Sequence, residues 1–532
     1  VTKPDAEVEF GADRAPASAF KRGTRMPSTK TTVRAAVALL AAATGIGLAA
    51  VPASAAPQDL PDGPALARQL VKKVGITGMN RHLVALQRLA DRNGHTRAAG
   101  TEGHVQSAEY IATKLEDAGY IVTRQEFPFL YDETVAESLT VAGTEVAVER
   151  MTYSNSTPEG GVTAPLVVVP ADDTPGCETT DFDGLPAEGA IVLVSRGACT
   201  FGQKSDIAGQ VGAAGVLIYN NVPGALAGGL GGQIEGGAPA GGLTQADGAA
   251  LAGQDGAEVT LDLRGVVEER TSYNVVAETQ TGRHNNVVMA GAHLDSVSDG
   301  PGINDNGSGS SALLETALQL GSTPKVNNAV RFAWWSAEEV GLVGSEYYVQ
   351  NLTFEEQLDI ALYLNFDMIG SPNAGYFVFD GDDSDGVGAG PGPYGSAQIE
   401  SAFQAFYEAA GVPTEGKDFD GRSDYGEFIL NGIPAGGLFT GAEQVKTQAQ
   451  VDKWGGVAGE AFDRCYHQAC DNLGNVDRAA LDRNADAEAF VLASYAISTE
   501  DINGVPPRSA RAKARAAQAR TMSAPALDEH DI

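Results

Sequence analysis

Apolar positions between residues 63 and 119 recur with helical spacing, as in HLVALQRLA and AEYIATKLEDAGY, and lead into a short predicted strand near residues 120–129. From about Tyr131 to Thr271 the texture changes. The apolar runs APLVVV, AIVLVSRG and GVLIYNN stand between clusters of Gly, Pro and Asp, which predicts a small β-rich domain with one or two helices. Strands and helices then alternate. Strands are predicted over 273–278, 287–293, 329–336 and 360–368, and helices over 310–320 and 342–350. That order predicts an α/β fold, with a mostly parallel sheet covered by helices on both faces. Ligands of such sheets collect beyond the carboxyl ends of the strands, where His293, Glu338 and Asp367 fall. No internal repeat is visible.

The two ends differ from this body. Residues 1–25 are polar and precede Met26, which predicts an upstream extension ahead of the natural start. Residues 26–55 carry Lys30 and Arg34, an apolar run from Ala35 to Ala50, and then Ala53-Ser54-Ala55, the layout of a secretory signal peptide. The run is too short to span a membrane permanently. Residues 501–532 include RSARAKARAAQAR and lack a stripe of large apolar residues, which predicts a flexible or trimmed tail. Between the ends, residues 56–130 and 272–500 flank the β-rich segment 131–271.

Charge and cysteines narrow the function. The 36 Lys and Arg against 69 Asp and Glu leave a net charge of −33, which repels phosphate backbones and anionic membranes and supports solubility. Neither nucleic acid nor a membrane is an expected partner, and a monomer is expected. Four cysteines in an exported chain predict two disulfides. Cys177 with Cys199 and Cys465 with Cys470 is the simplest of the three connectivities. A structural zinc site is the rival reading, but no close Cys-x-x-Cys repeat is present.

The stretch AGAHLDSVSDGPGINDNGSGS sets His293, Asp295, Asp299 and Asp305 together among turn residues, in a chain with seven histidines. His293 and Asp295, two apart on a strand, share a face, so Asp295 can take the second imidazole N–H and hold the tautomer a metal needs. Asp305 opens a helix, and an N-cap is its plain structural role. RFAWWSAEEVG places Glu338 and Glu339 at a strand-to-helix junction, where adjacent acids also start solvated helices. ALYLNFDMIG puts Asp367 in an apolar strand, where a buried carboxylate needs a cation. CYHQAC frames Tyr466 and His467 between two cysteines; alone, that histidine suits a surface loop. Together His293, Asp305, Glu339, Asp367 and His467 form a five-ligand O/N set suited to two zinc ions sharing one carboxylate. Such a pair can clamp a carbonyl oxygen and an attacking water. Glu338, beside a ligand but left over, is the natural general base.

These residues resemble the secreted double-zinc aminopeptidases of Streptomyces, leucine aminopeptidase-like members of the clan of co-catalytic zinc exopeptidases. The carrying blocks, in order, are MAGAHLDSVSDGPGINDNGSGS, RFAWWSAEEVGLVGS, YLNFDMIGSPN, DGRSDYGEF, GGLFTGAE and AFDRCYHQACDNL. The resemblance covers about residues 78–130 and 273–495 and implies a three-layer α/β/α domain with a mixed, mostly parallel sheet. It also implies that residues 56–130 and 272–500 are two parts of that one domain, with residues 131–271 inserted. It implies His293 and Asp367 on one zinc, Glu339 and His467 on the other, and Asp305 bridging. Glu338 would be base and proton shuttle, Asp295 the partner of His293, and Tyr466 a donor to the carbonyl oxygen as charge develops. Arg422 and Phe439 fall in the blocks that form the substrate pocket. The insert resembles a protease-associated domain, on AIVLVSRGACTFGQKSDIAGQVGAAGVLIYNN, a module thought to screen or bind substrates. Ser423-Asp424-Tyr425 stands where relatives commonly have Ser-Asp-His. Asp482 and Asp486 match two calcium-ligand positions of some relatives with no matching acid near the N-terminus, so calcium stays an alternative.

The resemblance implies a secreted enzyme that removes N-terminal, preferably bulky apolar, residues from peptides. One rival is a carboxypeptidase of the same clan, which needs cations for the substrate carboxylate and has Arg422 to offer. Another is a catalytically dead peptide-binding relative; those usually lose a ligand or the base, and here all six groups are present. A serine hydrolase is disfavoured because no Gly-x-Ser-x-Gly elbow follows a strand.

Overall fold

The computed structural model describes residues 63–504. The expected upstream extension and signal peptide, and nearly all of the expected tail, lie outside them. The packed chain continues past the tail boundary placed at 501: Glu500–Asn503 is a helical turn whose Ile502 is buried in the main core, an anchor of one apolar residue that composition does not flag.

The main domain is built on a mixed sheet. Arg283–His293 lies centrally and pairs in parallel with Asn328–Trp335 on one side and Ile360–Phe366 on the other, which in turn pairs in parallel with Ala435–Phe439. Antiparallel partners flank this parallel group, Glu258–Glu278 against Asn328–Trp335 and Phe377–Phe379 against Ala435–Phe439. Side chains alternate faces along each central strand. Phe332 and Trp334 enter the core beneath the helices Gly63–Lys73, Ile76–Arg92, Glu102–Asp117, Gly307–Leu320, Ser396–Ala410 and Arg478–Ile497, whereas Ala333 and Trp335 enter a second core with Tyr348, Tyr363 and Phe428. A sheet buried on both faces explains the near-continuous apolar runs, and the expected three-layer α/β/α architecture is present.

The strand expected to end near residue 129 instead runs from Ile121 to Val141 and pairs antiparallel with Glu258–Glu278 along its whole length. None of residues 132–138 is buried, so this third of the 21-residue strand carries no core-facing signal. The ribbon leads into the insert without a flexible joint. There Val162–Val168, Ile191–Ser195, Gly215–Tyr219 and Ala240–Leu243 form a sheet with its own cores on both faces. Both expected disulfides are formed, Cys177–Cys199 and Cys465–Cys470. Among the described residues, no helix is long and apolar enough to cross a membrane.

Candidate active site

Three parallel strands end on the same edge of the sheet. Arg283–His293 stops at the imidazole itself, Ile360–Phe366 one residue before Asp367, and Asn328–Trp335 three residues before Glu338. Asp367 therefore caps the strand end, not its interior as its apolar context suggests. The chain turns sharply after two of these strands, at Ala337 and Met368, and again at His467: all three have φ between +46° and +58°, a conformation uncommon for residues with a side chain and concentrated at functional sites.

The five nitrogen and oxygen donors converge. His293 Nε2 lies 3.2 Å from Asp305 Oδ1 and 3.2 Å from Asp367 Oδ1. His467 Nε2 lies 3.0 Å from Glu339 Oε2 and 3.4 Å from Asp305 Oδ2. Asp305 thus turns one oxygen to each histidine. Its expected alternative as a helix cap is excluded, because Asn306 is the N-cap of Gly307–Leu320, its side chain accepting the Gly309 N–H. Glu338 stands apart, its closest approach to His293 Nε2 being 3.9 Å. Asp299 is exposed and joins nothing at the site.

Burial and charge act together on this cluster. Burial lowers the basicity of His293, but Glu338, Asp367 and Asp305 outweigh it and raise its pKa well above the usual value. His467 is likewise disfavoured by burial and pushed up to about 11 by Glu339 and Asp305. Burial pushes the Glu338 carboxyl well up, opposed by His293 and assisted by Asp367, Asp424 and Glu339. The excess of carboxylates calls for cations. Glu339 Oε1 is moreover buried with no hydrogen-bond partner, and all five donors are of types that zinc accepts. The residues fit a metal site: His293, Asp305 and Glu339, or alternatively His293, Glu338 and Asp367, are close enough to surround an ion.

Asp295 departs from its expected contact. Its carboxylate is fully buried but 3.8 Å from His293 Nδ1, beyond hydrogen-bond reach. Its oxygens instead accept the N–H groups of Glu338 and Glu339 at 3.3 and 3.4 Å, so it orients the turn that carries both glutamates.

A pocket opens over the donors, lined among others by Met368, Phe379, Arg422, Tyr425, Phe439 and Tyr466. Arg422 donates to Glu443 at 2.8 Å and to Tyr466 Oη at 3.1 Å. Tyr466 stacks on His467 with ring centroids 3.8 Å apart. Tyr425, in place of the histidine of the resembling proteins, donates to Asp420 at 2.8 Å and touches none of the five donors through its hydroxyl; Ser423 does, donating to Asp367 Oδ2 at 2.6 Å. Asp482 Oδ1 accepts the Ile76 N–H at 3.0 Å, which ties the helix Arg478–Ile497 to the start of Ile76–Arg92.

Sequence reasoning missed Arg97, Asp463 and Asp471. The fully buried Arg97 guanidinium donates to the carbonyls of Leu294, Pro301 and Gly302, spanning the loop between His293 and Asp305. Asp471 accepts the N–H groups of Asn304 and Asp305, and Asp463 accepts from the Asn304 side chain at 2.7 Å. The only sequence sign was for Arg97, which interrupts helical spacing between Gly94 and Gly100.

Residues 274–492 match peptidase family M28, and residues 162–251 match the PA domain. A probable lipoprotein aminopeptidase of Mycobacterium tuberculosis is 46% identical over 459 residues, 85% of this chain and 92% of that protein. The chain belongs to peptidase family M28. It is an enzyme of the metallo-exopeptidase class with a PA domain inserted. Leucine aminopeptidase 2 of Trichophyton rubrum is 44% identical over 444 residues, 82% of this chain and 87% of that one. BSAP, a zinc aminopeptidase from Bacillus subtilis, superposes with a TM-score of 0.58 at 27% identity, covering 80% of this chain and 96% of its own.

Proposed function

We propose that this M28 peptidase is a secreted, monomeric aminopeptidase that holds two zinc ions and prefers a bulky apolar residue at the peptide N-terminus. The observation that carries the reading is Asp305, whose two oxygens face two different histidines with one further carboxylate on each side. His293 and Asp367 would hold one ion, Glu339 and His467 the other, with Asp305 between. Bound there, the ions would supply Lewis acidity that polarises the carbonyl and makes water acidic enough to attack near neutral pH.

The chain's own groups do the rest. Glu338 accepts the proton of the attacking water and returns it to the leaving amine; burial and its neighbours raise its pKa, as a shuttle requires. Tyr466 Oη accepts from Arg422, which leaves its hydrogen free to meet the carbonyl oxygen as negative charge develops. Met368, Phe379 and Phe439 line the pocket and favour an apolar side chain, while the surrounding carboxylates favour the free amine. Arg422, the cation a carboxypeptidase would need, is already engaged by Glu443 at 2.8 Å and by Tyr466. Two disulfides suit an oxidising compartment.

The test compares leucine amide, N-acetyl-leucine amide and a peptide followed for C-terminal release, before and after chelation and after zinc addition. Cleavage of leucine amide alone, lost on chelation and restored at two zinc ions per chain, is expected. Equal cleavage of the blocked amide, or C-terminal release, overturns the reading.

A further inference from the structure

A second cavity, of about 440 Å³, adjoins the apolar pocket at Glu339 and Gly341 and is lined by both the catalytic domain and the insert. Tyr131, Tyr153 and Gly229 wall it on the insert and its stem, and Ala98, Val297 and Val340 on the catalytic domain. Glu339 and Gly341 belong to both cavities.

The walls are held in place. The stem strands are paired from Ile121 with Glu278 to Val141 with Val259. At the cleft, the buried Arg150 guanidinium donates to both oxygens of Asp132 at 2.7 and 2.9 Å, and Asp132 also accepts the Tyr153 N–H at 2.9 Å. Tyr153 Oη reaches across to the Val340 carbonyl at 3.4 Å. Arg270 covers one face of the Tyr131 ring, 3.3 Å from its centroid. Asp132, the acid of the insert in this wall, is therefore neutralised, and the insert offers mainly aromatic and glycine surface.

The placement decides what can enter. A peptide whose first side chain fills the pocket between Phe379 and Phe439 has its scissile carbonyl over the donor cluster, and the remaining chain must leave past the donors. Glu339, one of those donors, and Gly341 also line the cleft. At roughly 3.3 Å per extended residue, a cleft one turn away meets the second to fourth residues of the substrate. We propose that this cleft binds the peptide downstream of the scissile bond and selects an apolar side chain within two or three positions after it. The proposal rests on the aminopeptidase reading and names the class of peptide that the site takes.

The test compares kcat/KM on Leu-Gly-Phe-Gly, Leu-Gly-Gly-Gly and leucine amide for the zinc-loaded full chain and two variants. Gly229→Trp fills the cleft: the glycine has an ordinary backbone conformation, and an added Cβ meets nothing nearer than Thr152 Cβ at 3.8 Å. Tyr153→Ala widens it. The unaltered enzyme should favour the Phe tetrapeptide over the all-Gly one by about tenfold, and both variants should bring that ratio to within about twofold. A ratio near one in the unaltered enzyme, or a ratio that neither variant moves, overturns the proposal. Failure to cleave leucine amide overturns the aminopeptidase reading instead. Should Gly229→Trp fail to fold by circular dichroism, Tyr153→Ala decides.

Discussion

Asp471 holds Asp305 through the main chain: its Oδ2 accepts the Asp305 N–H at 3.0 Å, while its Oδ1 accepts the Asn304 N–H at 2.8 Å. Asp463 takes the Asn304 side chain and the Cys465 N–H. The loop that carries Tyr466 and His467 is thus tied at both ends to the segment of the bridging carboxylate, and the Cys465–Cys470 bridge closes it.

Opening that bridge should damage catalysis more than folding. Closing a loop this short removes little entropy from the unfolded chain, whereas a displacement of about 1 Å in Tyr466 or His467 spoils the reacting geometry by about 100-fold. In a Cys465→Ser, Cys470→Ser double variant, kcat/KM should fall far more than thermal stability. Inactivation and unfolding that track together would count against this.

Glu338→Gln should retain metal and fold and lose about 10²–10⁴-fold in kcat, because proton transfer is removed and coordination is not. Its carboxylate stays 3.9 Å from His293, whereas Glu339 is 3.0 Å from His467. Metal content and single-turnover rates check this. Loss of one ion in the variant would exchange the roles of the two glutamates.

The central strands were legible because both faces of the sheet are buried, so runs such as VVMAGA are apolar throughout. The middle stretch of the stem was not: residues 132–138 are solvated and find their structure in the partner strand, with an irregularity between Thr134 and Ala136. At the site, histidines and acids at strand ends could be gathered from their chemistry. Asp295 could not be placed correctly, since alternation applies along an extended strand, and the strand ends at His293; beyond it the irregular chain presents the Asp295 oxygens to the Glu338 and Glu339 N–H groups. Asp463 and Asp471 reach the site through Asn304 and Asp305, more than a hundred positions away, a relation that spacing does not encode.

A pH dependence of stability should arise far from the site, at Glu488. It is fully buried on the helix Arg478–Ile497, and burial pushes its carboxyl up to about 8 against a weaker pull from the Thr316 hydroxyl. The folded pKa is raised, so the folded chain binds the extra proton. The contribution is present in full below the unfolded value near 4.5 and is lost as pH rises through about 8. Glu488→Gln, a neutral isostere, should therefore raise stability relative to the parent by an amount that grows from pH 5 to pH 8 and reaches the order of a few kcal/mol at about 1.4 kcal/mol per unit. Denaturant titrations at several pH values read this directly; a difference independent of pH would rule it out.

Arg97 should control how tightly the metals are held without touching them. Its guanidinium, wholly buried, donates to Pro301 at 2.8 Å and also to Leu294 and Gly302, and its main-chain N–H donates to Ser296 Oγ at 2.9 Å. These four acceptors lie between His293 and Asp305, so Arg97 sets the distance between a terminal ligand and the proposed bridge. Burial lowers its pKa to about 10, with Asp295, Asp471, Glu339 and Asp305 pulling the other way, and it stays charged at neutral pH. Arg97→Met preserves much of the volume but leaves three buried carbonyls without donors, at roughly 1–3 kcal/mol each. The loop should relax, and zinc affinity should fall by about 10–100-fold, the usual effect of removing a group that orients ligands. Arg97→Lys should recover little, because one ammonium cannot reproduce the fork that meets three diverging carbonyls. Competition with a zinc-binding dye, alongside kcat at saturating zinc, separates affinity from catalysis. If Arg97→Met binds zinc as tightly as the parent while only its melting temperature drops, Arg97 is a packing residue and the loop is positioned by Asp471 alone.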